Sequence, residues 1–332
     1  MEWARFRKYA WRMRELNEPN CQYSEVLPVL QLCAIDKPFF PNLKTLCLWS
    51  IPVELIPLIP SFLSPRTTYF LLGFKVGAPN AIVASMITAL PTLCPNLQHI
   101  LLVALPRNPM ITAAVSGMLL ASNRNSLRRL SVDSPLTEEA REVAYKHPDL
   151  RELSMVIEGS TSLPTVVLPN LADMAIEYDH SCNWLQGFRD ATLGKLTSIT
   201  LFCESESIGN FLEEFKRVAL TTSIPATLSS FSFNTSRPWR PNYRCLLPFT
   251  QLSEIDIDFS CQDGCLSTID DDIIIGIARA MPRLKILRLG DEPCQTPTGI
   301  TTKGLATLAR YCPDLSALRL HGIKYIDCTD KN

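Results

Sequence analysis

One hydrophobic spacing recurs along the chain: an apolar residue, two variable positions, a second apolar residue, one variable position and a third apolar residue. It occurs eleven times, at Leu43/Leu46/Leu48, Tyr69/Leu72/Phe74, Leu97/Ile100/Leu102, Leu127/Leu130/Val132, Leu150/Leu153/Met155, Leu171/Met174/Ile176, Leu196/Ile199/Leu201, Leu228/Phe231/Phe233, Leu252/Ile255/Ile257, Leu284/Leu287/Leu289 and Leu315/Leu318/Leu320. The second set is the least regular. The last two apolar positions of each set alternate with variable ones, which predicts a short strand with one buried face, and the first anchors the turn into it. Successive sets start 21 to 32 residues apart, about 27 on average, a period characteristic of repeat architectures.

Proline-led tripeptides stand just ahead of many of these strands: Pro41-Asn42-Leu43, Pro95-Asn96-Leu97, Pro148-Asp149-Leu150, Pro169-Asn170-Leu171, Pro282-Arg283-Leu284 and Pro313-Asp314-Leu315. Proline removes a helix donor and forces the residue before it out of helical geometry, so a preceding helix ends there. Between strands, residues 81–93, 138–146, 208–220, 270–280 and 302–310 carry apolar side chains at three- and four-residue steps and are predicted as helices. Strand and helix thus alternate, an α/β pattern with a parallel sheet.

The last unit, Gly299-Ile300-Thr301-Thr302-Lys303-Gly304-Leu305-Ala306-Thr307-Leu308-Ala309-Arg310-Tyr311-Cys312-Pro313-Asp314-Leu315, resembles the cysteine-containing leucine-rich repeat typical of F-box proteins, and Cys94-Pro95-Asn96-Leu97 repeats its closing signature. The opening Trp3-Ala4-Arg5-Phe6-Arg7-Lys8-Tyr9-Ala10, with Phe40-Pro41-Asn42-Leu43 further on, is similar to the region just after the F-box in fungal F-box/leucine-rich-repeat proteins. The resemblance spans nearly the whole chain. It implies a leucine-rich-repeat solenoid, a horseshoe with the parallel sheet on its concave face and helices on its convex face. The expected layout is a helical cap at 1–38, about eleven repeats at 39–323 and a short polar tail at 324–332. The implied role is substrate recognition in an SCF-type ubiquitin ligase, feeding ubiquitin-dependent protein catabolism, with a protein target on the concave face. The F-box that would dock on the ligase adaptor is not apparent, so the chain is expected to start after it. The alternative is a stand-alone leucine-rich-repeat interaction module without ligase association. Residues 51–63 open like an F-box, but Pro57 and Pro60 interrupt the helix it needs, and they are read as a proline-kinked convex segment.

Charge narrows the partners. Lys plus Arg is 32 against 33 Asp plus Glu, a net charge of -1, which supplies no field for phosphate backbones or anionic lipid. No nucleic acid, no membrane and a monomer apart from its partners are expected. The charged N-terminus is no secretory signal, and the most apolar stretch, Leu46 to Leu63, is broken by prolines and Glu54. A cytoplasmic or nuclear location follows, with the 12 scattered cysteines reduced. The basic amphipathic start, Trp3, Phe6, Ala10 and Met13 with Arg5, Arg7, Lys8, Arg12 and Arg14, is read as a lid on the first repeat.

Signatures of catalysis are missing: there is no GxSxG, HExxH or GxGxxG. Gly187 to Gly194-Lys195 departs from a phosphate loop in spacing, and Leu196 replaces its hydroxyl residue. Cys261 with Cys265 and His180 with Cys182 lack a second pair at zinc spacing. Asp256 to Asp263 begins like a calcium loop, yet Cys261 stands where glycine is needed and Ser267 where glutamate is. Asn234-Thr235-Ser236 fits a glycosylation acceptor but is discounted without an export signal. No enzyme, cofactor or metal is therefore expected.

The variable strand positions are the candidate partner surface. In chain order they give an apolar area at Trp49, Leu71, Leu101 and Val103. A middle area follows at Asp173, Glu177, Phe202, Glu254, Asp256 and Asp258, and an end at Arg288, Arg319 and His321. Trp49 and Phe202 are the candidate anchors, since a large exposed aromatic beside charge is typical of interface hot spots.

Overall fold

The apolar triplet folds as the entry to a strand, and what aligns most entries is one backbone carbonyl just ahead of the preceding strand. The computed structural model describes residues 2–18, 38–75, 77–122, 126–158, 167–178, 182–189, 193–204, 208, 210–237, 239–259, 269–290, 299–320 and 323–327. It is an α/β structure, divided into two compact units at Met1–Val156 and Ile157–Asn332.

In the first unit α1 (Glu2–Ala10) and β1 (Glu15–Glu18) precede β2 (Thr45–Ile51), a 3-10 turn at Val53–Leu58 and the short α2 (Ile59–Phe62). Then come β3 (Tyr69–Phe74), α3 (Asn80–Leu93), β4 (His99–Val103), α4 (Pro109–Ala121), β5 (Arg129–Pro135), α5 (Glu138–Tyr145) and β6 (Glu152–Ile157) at the boundary. Each strand pairs in parallel with the next. The second unit runs β7 (Asp173–Tyr178), a 3-10 turn at Cys182–Phe188, β8 (Ser198–Cys203), α6 (Phe211–Ala219), α7 (Ile224–Thr227), β9 (Ser230–Thr235), a 3-10 turn at Tyr243–Leu246 and β10 (Glu254–Phe259). It ends with α8 (Asp271–Ala280), β11 (Ile286–Leu289), α9 (Thr302–Tyr311), β12 (Ala317–Leu320) and β13 (Ile323–Asp327). Strands β7 to β12 are parallel neighbours in chain order, and β13 turns back antiparallel on β12.

At the entries to β2–β6 and β8–β12 two consecutive N–H groups share one carbonyl. Gln98 and His99 donate to the Thr68 oxygen, Arg128 and Arg129 to Gln98, Ser229 and Ser230 to Thr197, and Lys285 and Ile286 to Ser253, at 2.7 to 3.1 Å. In the second unit hydroxyls add a third donor to the same acceptors: Ser229 to the Thr197 oxygen at 3.0 Å, Ser253 to Ser229 at 3.1 Å and Ser316 to Lys285 at 3.1 Å. The carbonyl thus fixes where the next strand begins, and the side-chain alternation then follows. The second and third apolar positions fill the interior beneath: Leu46, Phe70, Ile100, Leu130, Phe231, Ile255 and Leu287 are all fully buried.

The proline rule operates as the sequence implies. Helices α3, α8 and α9 end at Cys94, Met281 and Cys312, each just before a proline, with φ of -133, -128 and -118° and ψ of 69, 70 and 71°. At the other ends Asn108, Thr137, Asp270 and Thr301 cap α4, α5, α8 and α9 through side-chain oxygens. The five predicted helices all form, within three residues at each end. Helix α4 has no counterpart in the prediction: Pro-Met-Ile-Thr-Ala-Ala-Val-Ser-Gly-Met-Leu-Leu-Ala carries no charge, so its sequence shows no polar stripe against which an apolar one stands out.

Three expectations are corrected. Tyr69 is not the anchor of the second repeat. The register pairs Leu46 with Phe70 and Leu48 with Leu72, which puts Thr67 in the place of Leu43 and Leu97, fully buried, while Tyr69 falls in the variable row. The stretch at 1–38 is not helical throughout, since β1 adds a strand beside β2 and the Arg14 carbonyl aligns Lys44 and Thr45. Asn42 ties this start down, donating to the Trp11 carbonyl at 2.8 Å, while Phe6 lies 6.2 Å from Phe40, itself stacked on Phe62. The segment after 323 is not simply a tail, because its first residues form β13 and cover the edge of β12.

One buried group makes the first unit acid-sensitive. His147, at the exit of α5, is 4% exposed, and among the described residues neither ring nitrogen has a hydrogen-bond partner. Burial holds its pKa below the ordinary 6.5, with Asp149 opposing. The folded value lies below the unfolded one, so the neutral ring's contribution is complete above about pH 6.5 and is lost as pH falls through the window beneath it. Urea midpoints measured at about pH 8 and about pH 5 should drop more for the natural protein than for His147→Leu. Equal drops would remove His147 as the cause.

Candidate functional site

Strand alternation leaves one face of each sheet outside the core, and the register orders its side chains into rows. In the first unit one row reads Thr45, Tyr69, His99, Arg129 and Glu152, and the next Cys47, Leu71, Leu101, Ser131 and Ser154. The Tyr69 and His99 rings are 5.4 Å apart, and Arg129 Nε meets Glu152 Oε2 at 2.8 Å. Burial lowers the His99 pKa and raises that of Tyr69, so both rings are uncharged at neutral pH.

The apolar area predicted here is only partly open. Leu71 and Leu101, 4 and 6% exposed, are buried on the variable face as well. They are register neighbours, with the Tyr69–His99 ring pair in the row on one side and Gly73 and Val103 on the other. Only Trp49 and Val103 retain surface, Trp49 with 37%. Trp49 is held from both sides. Its Cε3 would lie 3.0 Å from any Cβ at Gly73, so the ring covers that glycine. Its indole also lies beside the Cys47 thiol, whose pKa burial raises and this contact lowers. Just beyond, Ser50 and Ala104 adopt positive φ of 52 and 56°, a costly backbone state for non-glycine residues. Ala104 donates its N–H to Asp133 Oδ2 at 2.8 Å.

In the second unit the rows read Asp173, Ser198, Ser230, Glu254, Ile286, Ala317; then Ala175, Thr200, Ser232, Asp256, Arg288, Arg319; then Glu177, Phe202, Asn234, Asp258. The structure brings together charges that the sequence placed in two separate areas. Arg288 Nη1 meets Asp256 Oδ2 at 3.0 Å, and Arg319 Nη2 lies 3.7 Å from Asp256 Oδ1 and 3.6 Å from Asp258 Oδ2. Two carboxylates and two guanidiniums thus neutralise one another on the sheet, a network in which each half-exposed pair contributes about 0.2–1 kcal/mol. Glu254 accepts a hydrogen bond from Ser230 Oγ at 3.3 Å, and Asp173 stands exposed at the start of β7. His321 lies outside the described residues, as do His180, Cys261 and Cys265 and the side chain of Cys182.

Phe202 is 43% exposed between Glu177 on β7 and Asn234 on β9. Beside it a cleft of about 400 Å³ opens where β8, β9 and β10 end, lined by Phe202, Cys203, Glu204, Thr235, Asp258 and Phe259 among others. Nothing in the sequence marked Glu204 or Ser236 for this position. The signal is three-dimensional, because strand ends 24 to 32 residues apart in the chain come level only once the register is known.

Cys94 and Cys312 serve the interior. Cys312 Sγ donates towards the carbonyls of Met281 at 3.5 Å and Ala278 at 3.7 Å, one repeat earlier. Cys94 lies against Thr67 and the Ser64 backbone, and burial pushes its thiol up to about 11. Such thiols stay protonated and make poor nucleophiles. Among the described residues no group of three or more His, Cys, Asp or Glu side chains is placed to hold a metal ion, and no helix is long and apolar enough to cross a membrane.

Charge is unevenly divided. Residues 1–156 carry 16 Lys and Arg against 12 Asp and Glu, whereas residues 157–332 carry 16 against 21. The near-neutral total therefore conceals a basic first unit and an acidic second one. No known protein family matches the chain, and no curated protein is significantly similar to it.

Proposed function

We propose that the chain is a leucine-rich-repeat solenoid of the cysteine-containing type, with its strand face concave, and that it acts without catalysis by holding a protein on that face. The observation that carries this reading is the division of labour within each strand. One set of positions repeats as buried leucine, isoleucine or phenylalanine, and the other varies freely across rows such as Tyr69, His99, Arg129, Glu152 and Asp173, Ser198, Ser230, Glu254. Columns of unrelated side chains at strand spacing suit an extended protein partner.

The same resemblance supports a role as substrate-recognition subunit of an SCF-type ubiquitin ligase. Its closing signature has a physical use here: in Cys312-Pro313-Asp314-Leu315 the thiol docks on the preceding repeat while the proline stops the helix. Such a receptor contributes proximity. It keeps its target within reach of a ubiquitin conjugate and so raises effective concentration.

Two measurements test this. Partners captured from cell extract by the full chain should be lost, by about tenfold or more, on Asp173→Lys with Glu254→Lys in the strand face. They should be retained on Glu139→Lys, at an exposed position of α5. The opposite pattern sinks the strand-face reading. Co-purification of the ligase adaptor supports the ligase role, and a target held without adaptor leaves the stand-alone scaffold.

A further inference from the structure

We propose that the cleft at the ends of β8, β9 and β10 receives an arginine side chain of the bound protein, with the guanidinium over the Phe202 ring and beside the Glu204 carboxylate. This rests on the protein-binding reading above and specifies the chemistry of one contact within it.

Three observations lead there. The first is shape: the cleft, about 400 Å³, accommodates one long side chain and the backbone that carries it, and lies level with the variable face on which a protein would rest. The second is its aromatic wall. Phe202 is 43% exposed in a row of polar residues, between Glu177 and Asn234 with Asp258 beyond, and the face of an exposed ring attracts a cation. The third is the charge at the rim. Glu204 is exposed, and among the described residues nothing hydrogen-bonds or pairs with its carboxylate; Arg237 Nε donates instead to its backbone carbonyl at 3.4 Å. Asp258 closes the far wall with Arg319 already 3.6 Å away, so the cleft keeps its negative side towards Glu204 within a unit that is acidic as a whole.

The alternatives fit less well. An acidic side chain meets Glu204 and Asp258. A purely apolar one strips water from both carboxylates without replacing their hydrogen bonds. A methylated lysine calls for a cage of several rings, and among the described lining residues Phe202 is the one exposed ring. Arginine combines a flat face for the ring, donors in the plane for a carboxylate, and weak hydration that makes its transfer from water easier than that of lysine. Asn234, Thr235 and Ser236 complete the rim with groups able to bond to the backbone of the incoming segment.

The test uses the full chain and the peptide acetyl-Gly-Arg-Gly-amide, followed by amide NMR, beside the same peptide with citrulline, which keeps the shape and removes the charge. The expected result is saturable shifts at Phe202, Asn234 and Ser236, with the citrulline peptide at least about tenfold weaker. Phe202→Ala and Glu204→Gln should each weaken the arginine peptide by about fivefold or more, with the rest of the spectrum unchanged because both side chains are exposed. Equal binding of the two peptides, shifts elsewhere, indifference to Phe202→Ala, or no saturable shift each overturns the proposal. Its failure remains separable from that of the broader reading: capture that depends on Asp173 and Glu254 survives if only the arginine contact is wrong.

Discussion

Replacing Phe211 by alanine is expected to lower the unfolding free energy by about 3–5 kcal/mol, the range for large-to-small changes at a site that cannot collapse. Phe211 opens α6, is fully buried, and is the hub of a ring cluster: Phe233 at 4.9 Å, Tyr178 at 5.8 Å and Phe215 at 6.1 Å between centroids. The cluster continues from Phe233 to Trp239 at 4.5 Å and from Phe215 to Phe231 and Phe249. Rings on both sides of Phe211 are themselves wedged, so the space it leaves stays largely empty. The loss would be read from urea unfolding followed by circular dichroism. Phe211→Leu, which refills most of the volume, should cost about 1–1.5 kcal/mol. A cost below about 1 kcal/mol for the alanine variant would show that the cluster does not hold the second unit together.

Thr67→Leu should destabilise the first unit by about 3 kcal/mol, although it restores the residue that the repeat carries elsewhere. Thr67 is fully buried, and its hydroxyl donates to the Leu43 carbonyl at 3.2 Å and accepts from the Ser64 N–H at 3.2 Å. Ser64 Oγ also donates to Leu43 at 3.0 Å, so that carbonyl keeps one donor when the threonine goes. The Ser64 N–H keeps none of its side-chain acceptor, and a larger side chain must enter a closed space against Cys94. Thr67→Ser preserves the hydroxyl and should cost much less, about 1 kcal/mol. If leucine proves neutral or stabilising by thermal unfolding, the buried hydroxyl network is not what fixes the second repeat.

This position also shows what a sequence conceals. The leucine columns are legible because burial of one strand face demands alternation, and Leu97, Ile100 and Leu102 announce it without help from the rest of the chain. Thr67 hides because its polarity is satisfied by Leu43 and Ser64, partners that no local pattern reveals, and the apolar spacing then slides two residues to Tyr69. The cover over Leu71 and Leu101 is hidden for a related reason, since alternation says which face a side chain takes and not what its neighbours cover. The ion network is invisible for want of register: Asp256 and Arg288 are 32 residues apart, and only the strand pairing sets them opposite. Helix ends, by contrast, were readable, because a proline acts on its immediate predecessor.

The carbonyl shared at strand entries has one more consequence. Strands β2–β6 and β8–β12 each take their alignment from their immediate predecessor at one point. An extra residue between two such strands is absorbed within its own repeat and not relayed to the strands downstream, which accounts for how spacings as different as 23 and 32 residues coexist in one chain. Each repeat can therefore diverge separately, and the variable strand face is free to be rewritten one column at a time.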